Sequence, residues 1–237
     1  MLQILHEDAA CLVVNKPAGL LTQAPLGIDS LEFRVKQYLK EHDSVAGEVY
    51  LGVPHRIDRP VSGVIVFAKH LKAAQRISAQ FEKRLVEKTY WALVQGQVEP
   101  AQDTWTDHLK KVYGHPRATL VDEQEPEGRI AILHYRVIPS DVPGATLLEI
   151  RLETGRTHQI RVQCASRGHV LLGDELYGSQ IPFGPPSDDE RNRLIALHAR
   201  SLKFRHPTER AHLHLIAALP EHWPAGVPRK MNEIITE

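Results

Sequence analysis

The spacing of short strand-like segments constrains the fold of this 237-residue chain more than any other feature. Apolar runs and alternating patterns predict eight strands, at 2–5, 11–15, 64–68, 86–95, 130–138, 146–153, 195–204 and 211–219. The last two are predicted to form a hairpin. Since strands and helices do not alternate as in a Rossmann fold, the pattern favours an α+β fold. Its sheet is predicted to be mostly antiparallel, with a few flanking helices.

Three helices are predicted from caps and apolar stripes. Asp29 or Ser30 caps the first, which ends near Glu41. The second spans 70–83, and the third runs from a cap at Thr157 to about Ser166. Their inward-facing residues are predicted to be Leu31, Val35 and Leu39 in the first helix, and Leu71, Ala74, Ile77 and Phe81 in the second.

Two further segments carry definite expectations. In the strand at 146–153, Leu148, Ile150 and Leu152 are expected to face the core and the intervening Glu149, Arg151 and Glu153 to face solvent. The acidic stretch 99–128 contains scattered Gly and Pro, so it is predicted to be the least regular part of the chain.

Composition points to an ordinary globular protein, and one domain over 1–237 is expected, with no separate accessory domain. Cys11 and Cys164 give neither a disulfide framework nor the spacing of a zinc motif, which favours a reducing compartment. The acids Glu7 and Asp8 lie where a signal peptide would need an apolar run. A cytoplasmic chain that crosses no membrane is therefore expected, and a monomer is the predicted assembly.

The distribution of charge is uneven although the total is neutral, with 29 basic and 29 acidic residues. Between 56 and 88, eight basic residues face only three acidic ones. Such a basic segment can bind a polyanion even on a neutral protein. Charge alone favours the simpler interpretation of solvated helix faces, so the segment becomes a candidate polyanion surface only together with the motifs below.

The densest group of polar residues is His55-Arg56-Ile57-Asp58-Arg59-Pro60-Val61-Ser62-Gly63. Pro60 and Gly63 exclude a helix interior. Asp58 lies between two arginines, which favour its ionised form and suit it to act as a nucleophile or an electrostatic stabiliser. Taken alone, the segment is equally well explained as a surface turn with an Arg–Asp pair.

A second polar group spans 152–161, at a predicted junction between a strand and a helix. A helix N-terminus beside Arg156 could bind an anion, or Arg156 could hold a catalytic carboxylate by a two-pronged pair. An ordinary capped helix with exposed charges is the simpler interpretation of this segment alone.

Taken together, these segments resemble the RluA family of RNA pseudouridine synthases. Residues 55–63 are similar to the family's first signature, and TGRTHQIRV at 154–162 and GHVLLGDELYG at 168–178 to its second. Further matching segments are Asn15-Lys16-Pro17, Lys88-Thr89-Tyr90, and the stretch from Leu197 to Pro207. The match is collinear over about 2–219, in the short form of the family that has no S4 domain. The resemblance implies a mixed, mainly antiparallel sheet with a central active-site cleft.

The resemblance also implies an activity: isomerisation of uridine to pseudouridine in structured RNA, a ribosomal or transfer RNA stem-loop, without cofactor or metal. Asp58 matches the essential aspartate, Tyr90 the active-site tyrosine, and Arg156 the arginine that pairs with the aspartate. Arg56 matches the arginine that enters the base stack when the target is flipped. The other polar residues of the two signatures are predicted to bind the substrate; they are His55, Arg59, Thr157, His158, Gln159 and Arg161. Whether Asp58 attacks C1′, attacks C6 or removes a 2′ proton stays open.

Departures from the family pattern are Ile57, Val61 and Gln163, none of which changes Asp58, Tyr90 or Arg156. Two other functions compete with the synthase. An RNA-binding factor without catalysis would not need Asp58, and a glycoside hydrolase would need a second carboxylate, which the signatures do not contain.

Smaller signals are given structural interpretations. The fourteen histidines, among them His198, His206, His212 and His214, lack partners at known metal spacing, so no metal site is expected. Lys16 is expected to be solvated and Asp174 to cap a turn. Tyr90 would be a core aromatic if the family resemblance were set aside.

Overall fold

The computed structural model describes residues 2–42 and 47–229. In chain order the strands are β1 (Gln3–Glu7), β2 (Cys11–Lys16), β3 (Ser62–Ala68), β4 (Glu87–Gln95), β5 (Gln102–Lys111), β6 (Ala118–Val121), β7 (Arg129–Ile138), β8 (Ala145–Leu152), β9 (Leu197–Arg205) and β10 (His212–Ile216). The helices are α1 (Leu31–His42), α2 (Leu71–Glu82) and α3 (Gln159–Ser166). The predicted α+β class, with a mainly antiparallel sheet, is confirmed.

The chain divides into two compact units. Unit 1 comprises Met1–Glu87 and Ala199–Ala218; unit 2 comprises Lys88–His198 and Leu219–Glu237. That the whole of 1–237 is one catalytic domain stays a prediction. In the described part of the chain, no helix is long and apolar enough to cross a membrane.

Unit 1 is built on β1, β2, β3 and the part of β9 from Ala199, hydrogen-bonded in that order, with β10 pairing β9. β2 pairs antiparallel with both β1 and β3. Every residue of β2 and β3 is buried, as the continuous apolar runs predict. The predicted hairpin at the end of the chain is confirmed, since β10 lies antiparallel to β9 with His212 opposite Arg205.

Helix α1 packs on this sheet as predicted. Leu31, Val35 and Leu39 are buried and share one apolar cluster with residues of β2 and β3. The backbone N–H of Phe33 donates to Oγ of Ser30 at 3.2 Å, so Ser30 is the residue that caps the helix.

The apolar stripe predicted for α2 is partly wrong. Leu71 is 59% exposed, and the buried positions are Ala73 and Ile77. The helix starts at Leu71 because His70 is its N-cap, whose Nδ1 accepts the backbone N–H of Ala73 at 3.1 Å. Leu71 therefore lies at the first helical position, and the inward face begins two residues later.

Unit 2 is an antiparallel sheet with the order β4-β8-β7-β5-β6. The prediction that 99–128 would be irregular is wrong, because this stretch contains the β5–β6 hairpin. Trp105 and Leu109 are buried along β5 while most of its polar residues stay at least partly accessible. Acidic residues of β5 interrupt its apolar pattern, so the sequence did not predict this strand.

Glu149 also departs from the prediction. It is only 4% exposed, and its Oε1 accepts a hydrogen bond from Nε of Arg136 at 2.8 Å. β8 is covered on both faces, so its alternation of polar and apolar residues does not show which side chains are exposed. A buried carboxylate in such a strand requires a cation, which the neighbouring strand β7 supplies.

Candidate active site

Asp58 lies in unit 1, on the loop that leads into β3, and is half-buried. The loop is fixed to the segment that follows β2. The backbone N–H of Gly19 donates to the carbonyl of Arg59 at 2.8 Å, and the Thr22 hydroxyl donates to the carbonyl of Ile57 at 2.8 Å. The backbone N–H of Val61 closes a turn onto the carbonyl of Asp58. Asp58 is therefore presented by a rigid loop, as pre-organised chemistry requires.

Lys16, at the end of β2, lies fully buried beneath this loop, which makes the prediction of a solvated lysine wrong. Its ammonium donates to three carbonyls: Leu20 at 2.6 Å, Pro17 at 2.9 Å and Arg59 at 3.2 Å. Burial lowers the pKa of Lys16 to about 7, and the nearby Asp58 carboxylate opposes that fall. Lys16 thus joins the segment that follows β2, at Pro17 and Leu20, to the turn next to Asp58, at Arg59.

The neighbours of Asp58 in the first signature have distinct environments. Arg56 is exposed, as a side chain that enters an RNA stack would have to be. His55 stacks on Phe81 with ring centroids 4.5 Å apart, and its Nε2 accepts the backbone N–H of Val66. The imidazole therefore packs the loop against α2 and β3. That His55 and Arg59 bind substrate stays a prediction.

Gly63 allows the loop to enter β3. Its φ is +121°, and a Cβ at this position would lie 2.3 Å from the carbonyl oxygen of Ala199. Only glycine fits both the backbone conformation and the close approach to β9. The end of the signature is therefore fixed by packing within unit 1.

The second group of predicted site residues lies in unit 2. Tyr90 is half-buried on β4, where it pairs in register with Ile150 of β8. The turn before α3 carries Arg156, which is also half-buried and whose Nε donates to the carbonyl of Ile130 at 2.9 Å. Thr157 is exposed.

Gln159 shapes this turn. Its Oε1 accepts from the Thr154 hydroxyl at 2.8 Å and from the backbone N–H of Arg156 at 3.0 Å. The predicted cap at Thr157 is wrong, because the N-cap of α3 is His158, in a left-handed conformation with φ of 52°. The side chain of Gln159 thus holds the turn that precedes the helix.

A buried chain of hydrogen bonds supports the same turn. Nε and Nη2 of Arg161 each donate to an oxygen of Asp174 at 2.7 Å, and Nη1 lies 3.0 Å from Nε2 of His158. Since arginine can only donate, Nε2 of His158 accepts and its Nδ1–H donates to the Tyr177 oxygen at 3.0 Å. Tyr177 also accepts the backbone N–H of Ala118. Asp174 is therefore the counter-ion of a buried arginine, which corrects its prediction as a turn cap.

Known proteins are similar to this chain over most of its length. The family described as RNA pseudouridylate synthase matches residues 10–166, which include Asp58, Tyr90 and Arg156. The chain belongs to this family. An uncharacterized RNA pseudouridine synthase of Bacillus subtilis is 36% identical over 208 residues, covering 87% of this chain and 65% of that protein. The ribosomal large subunit pseudouridine synthase D of Xylella fastidiosa is 34% identical over 226 residues, which cover 93% of this chain and 66% of that protein.

The fold of this pseudouridine synthase family member is also found in a solved structure. Human RNA pseudouridylate synthase domain containing 4 superimposes with a TM-score of 0.74 at 25% identity, over 92% of this chain and 89% of that one. The present chain spans just under two thirds of the length of the two bacterial relatives.

Sequence patterns alone missed three residues that position the predicted site of this family member: Lys16, Asp174 and Tyr177. Two of their partners are distant in the chain: Arg59 for Lys16 and Ala118 for Tyr177. The available signal was the family resemblance, since Lys16 lies in one matching segment and the other two in the continuation of the second signature.

Proposed function

We propose that this chain is an RNA pseudouridine synthase that converts uridine in structured RNA to pseudouridine, with Asp58 as its catalytic carboxylate. The observation that carries the proposal is the loop of Asp58, held by backbone hydrogen bonds and by buried Lys16 in a chain that belongs to this family. The name of the Xylella fastidiosa relative favours ribosomal RNA of the large subunit over transfer RNA as the substrate.

The proposed reaction has four steps. The target base must be flipped out before its glycosidic bond is accessible, and exposed Arg56 is the side chain proposed to take its place in the stack. Asp58 stabilises or attacks the electron-poor sugar or base as the bond breaks. Tyr90 packs on the uracil and takes part in removing the C5 proton. The uracil then rejoins the sugar through C5. The N1–C1′ bond is thus replaced by a C5–C1′ bond, and the proton lost from C5 is balanced by one gained at N1, so atoms balance without water or cofactor.

A pseudouridine map of total RNA tests the proposal. Cells lacking the gene are complemented with wild type, Asp58→Asn or Asp188→Asn, and carbodiimide-induced stops of reverse transcription are compared. Asp188→Asn is the matched control, because Asp188 is an exposed aspartate outside both signatures. We expect a stop that disappears on deletion and returns with wild type and the control only. A stop restored by Asp58→Asn would remove Asp58 from catalysis, and a map unchanged by deletion would contradict the synthase.

The arginine that acts with Asp58 needs its own test. Arg156 was assigned by resemblance, whereas Arg161 is only 5% exposed and is held by Asp174 and His158. Asp174 already neutralises the charge of Arg161, so Arg156 stays the arginine proposed to pair with Asp58. We expect Arg156→Lys to lower kcat by about 100-fold and Arg161→Lys by less than about tenfold, with kcat compared where circular dichroism shows both variants folded. The reverse order of kcat would transfer the role to Arg161.

A further inference from the structure

Four potential metal ligands converge in unit 1, away from both signatures. They are His6 at the end of β1, Asp8 in the following turn, Cys11 at the start of β2, and His206 just after β9. One ligand atom from each lies within 4.8 Å of all the others. The first three form the local pattern His-x-Asp-x-x-Cys, and the fourth is nearly 200 residues away, which is why the sequence pattern did not reveal the cluster.

The two oxygens of Asp8 have separate tasks. Oδ1 accepts the backbone N–H groups of Ala10 and Cys11 at 2.6 and 2.8 Å, which fixes the carboxylate in the turn. Oδ2 faces the other three side chains: Nε2 of His6 and Nε2 of His206 at 2.7 Å each, and Sγ of Cys11 at 3.8 Å. One oxygen is therefore held by the backbone, and the other is directed into the cluster.

His206 orients the carboxylate and does not itself suit a metal. Its Nδ1 accepts the backbone N–H of Glu209 at 2.9 Å and of Thr208 at 3.3 Å. The proton of the neutral ring is then on Nε2, where it donates to Asp8. A hydrogen-bond donor behind a ligating carboxylate is the usual support of a metal ligand.

The ring proton of His6 is not fixed on one nitrogen in the way that the ring proton of His206 is. In the described part of the chain, no backbone N–H donates to its Nδ1, so the ring proton can move there and leave the Nε2 lone pair for a cation. The side chains of His6 and Asp8 are 27% and 26% exposed, which opens the cluster to solvent, whereas Cys11 is buried behind them.

We propose that Nε2 of His6, Oδ2 of Asp8 and Sγ of Cys11 bind a divalent zinc ion, with His206 orienting Asp8. Nitrogen, oxygen and thiolate sulfur are together the ligand set that Zn²⁺ accepts in tetrahedral sites, and water completes the fourth position. Bond lengths of about 2.0–2.3 Å place tetrahedral ligands roughly 3.3–3.7 Å apart, so His6 has to withdraw from Asp8 by less than about 1 Å. Binding releases the Cys11 thiol proton to solvent.

The predicted role of the ion is structural. Through Asp8 and His206 it would fasten the turn between β1 and β2 to the turn between β9 and β10, two parts of unit 1 from opposite ends of the chain. A ligand that binds only the folded chain stabilises it by RT ln(1 + L/Kd), where L is the free ligand concentration, so the unfolding temperature should rise with the concentration of free zinc. The site contains none of the proposed catalytic residues, so the ion is not expected to change kcat.

Metal binding by the full chain tests the proposal. After chelation and dialysis, Zn²⁺ is measured by equilibrium dialysis, and Co²⁺ titration reports a thiolate-to-cobalt charge-transfer band. We expect one ion per chain, a higher unfolding temperature with zinc, and a cobalt band that Cys11→Ser abolishes. Cys164→Ser is the matched control, because Cys164 is the other buried cysteine and lies in unit 2. It should keep the band.

Two further variants keep the proposal testable if Cys11→Ser fails to fold. His6→Gln, at a partly exposed position, should weaken zinc binding at least about tenfold, and His206→Gln should weaken it about 10–100-fold while keeping the cobalt–thiolate band. Wild type that takes up no stoichiometric zinc would overturn the site. So would equal zinc affinity in wild type and His6→Gln, or a band lost with Cys164→Ser and kept with Cys11→Ser.

Discussion

Lys16 shows how one buried charge can fix the position of a functional loop. Its ammonium satisfies carbonyls of Pro17, Leu20 and Arg59, which belong to two segments about 40 residues apart in the chain. A buried ammonium without such acceptors would cost several kcal/mol, on the order of the penalty for any unpaired buried ion. The lysine is therefore stable there only while the loop of Asp58 keeps its conformation.

The first prediction concerns removal of this ammonium. Lys16→Met keeps the length of the side chain but leaves three carbonyls without their donor, so we expect a loss of about 2–4 kcal/mol in the free energy of unfolding at pH 7. Activity should fall with it, because the turn next to Asp58 loses its support. Urea unfolding followed by circular dichroism measures the loss. Lys40→Met, at an exposed position of α1, is the control and should change stability little.

The pKa of Lys16 adds a pH dependence to this prediction. It is about 7 in the folded chain and about 10.4 for an unfolded lysine, so between these values the folded state holds fewer protons. The contribution of Lys16 to stability is therefore smallest below pH 7, rises from pH 7 to pH 10, and is complete above that window. The deficit of Lys16→Met relative to wild type should grow over the same range. A deficit that stays constant or shrinks would show that the lysine is not buried as described.

At the scale of elements, the entry into β3 depends on a single glycine. Gly63→Ala would place a methyl group 2.3 Å from the Ala199 carbonyl at a φ of +121°. Because both partners are backbone of paired strands, the clash can be relieved only by separating β3 from β9. We expect the variant to lose more than about 3 kcal/mol of unfolding free energy.

Gly144→Ala is the matched control for that prediction. Its φ is also positive, at +70°, but nothing lies within 4 Å of the added methyl group. Conformational strain alone should then cost about 1 kcal/mol. Thermal unfolding of both variants, by circular dichroism, gives the comparison; similar losses would mean that packing against Ala199 is not the deciding factor at Gly63.

The sequence predicts elements best where one apolar face dominates. β2, β3 and α1 were placed within a residue or two, because their residues are buried in continuous runs or at helical spacing. β5 was not predicted, and Glu149 was predicted to face solvent, because charged residues were assumed to be exposed. Within the candidate site, the resemblance located the signatures, but the partners of Lys16 and Arg161 depend on contacts between distant segments, which no local pattern contains.

For the whole molecule, the question is how a chain of zero net charge would hold a polyanion. The excess of basic residues in 56–88 lies partly on and after α2, where Lys72 and Lys83 are exposed. Arg76, another basic residue of the same segment, donates to the carbonyl of Pro207 at 2.6 Å. Its substitution would therefore change the contact between α2 and the turn after β9 as well as the charge. Lys72 and Lys83 are the better probes of an electrostatic surface.

We expect Lys72→Glu with Lys83→Glu to weaken binding of a target stem-loop RNA and to flatten its dependence on salt. Each phosphate contact that is lost removes one released counterion, so the slope of log K against log salt should become shallower by roughly 1 to 2. Lys40→Glu with Lys111→Glu makes the same change of charge at two exposed positions outside that segment and serves as the control. Filter binding at several salt concentrations measures both slopes. If the two double variants weaken binding equally and share one slope, the net charge alone governs association; a shallower slope for the α2 pair only would place RNA phosphates beside that helix.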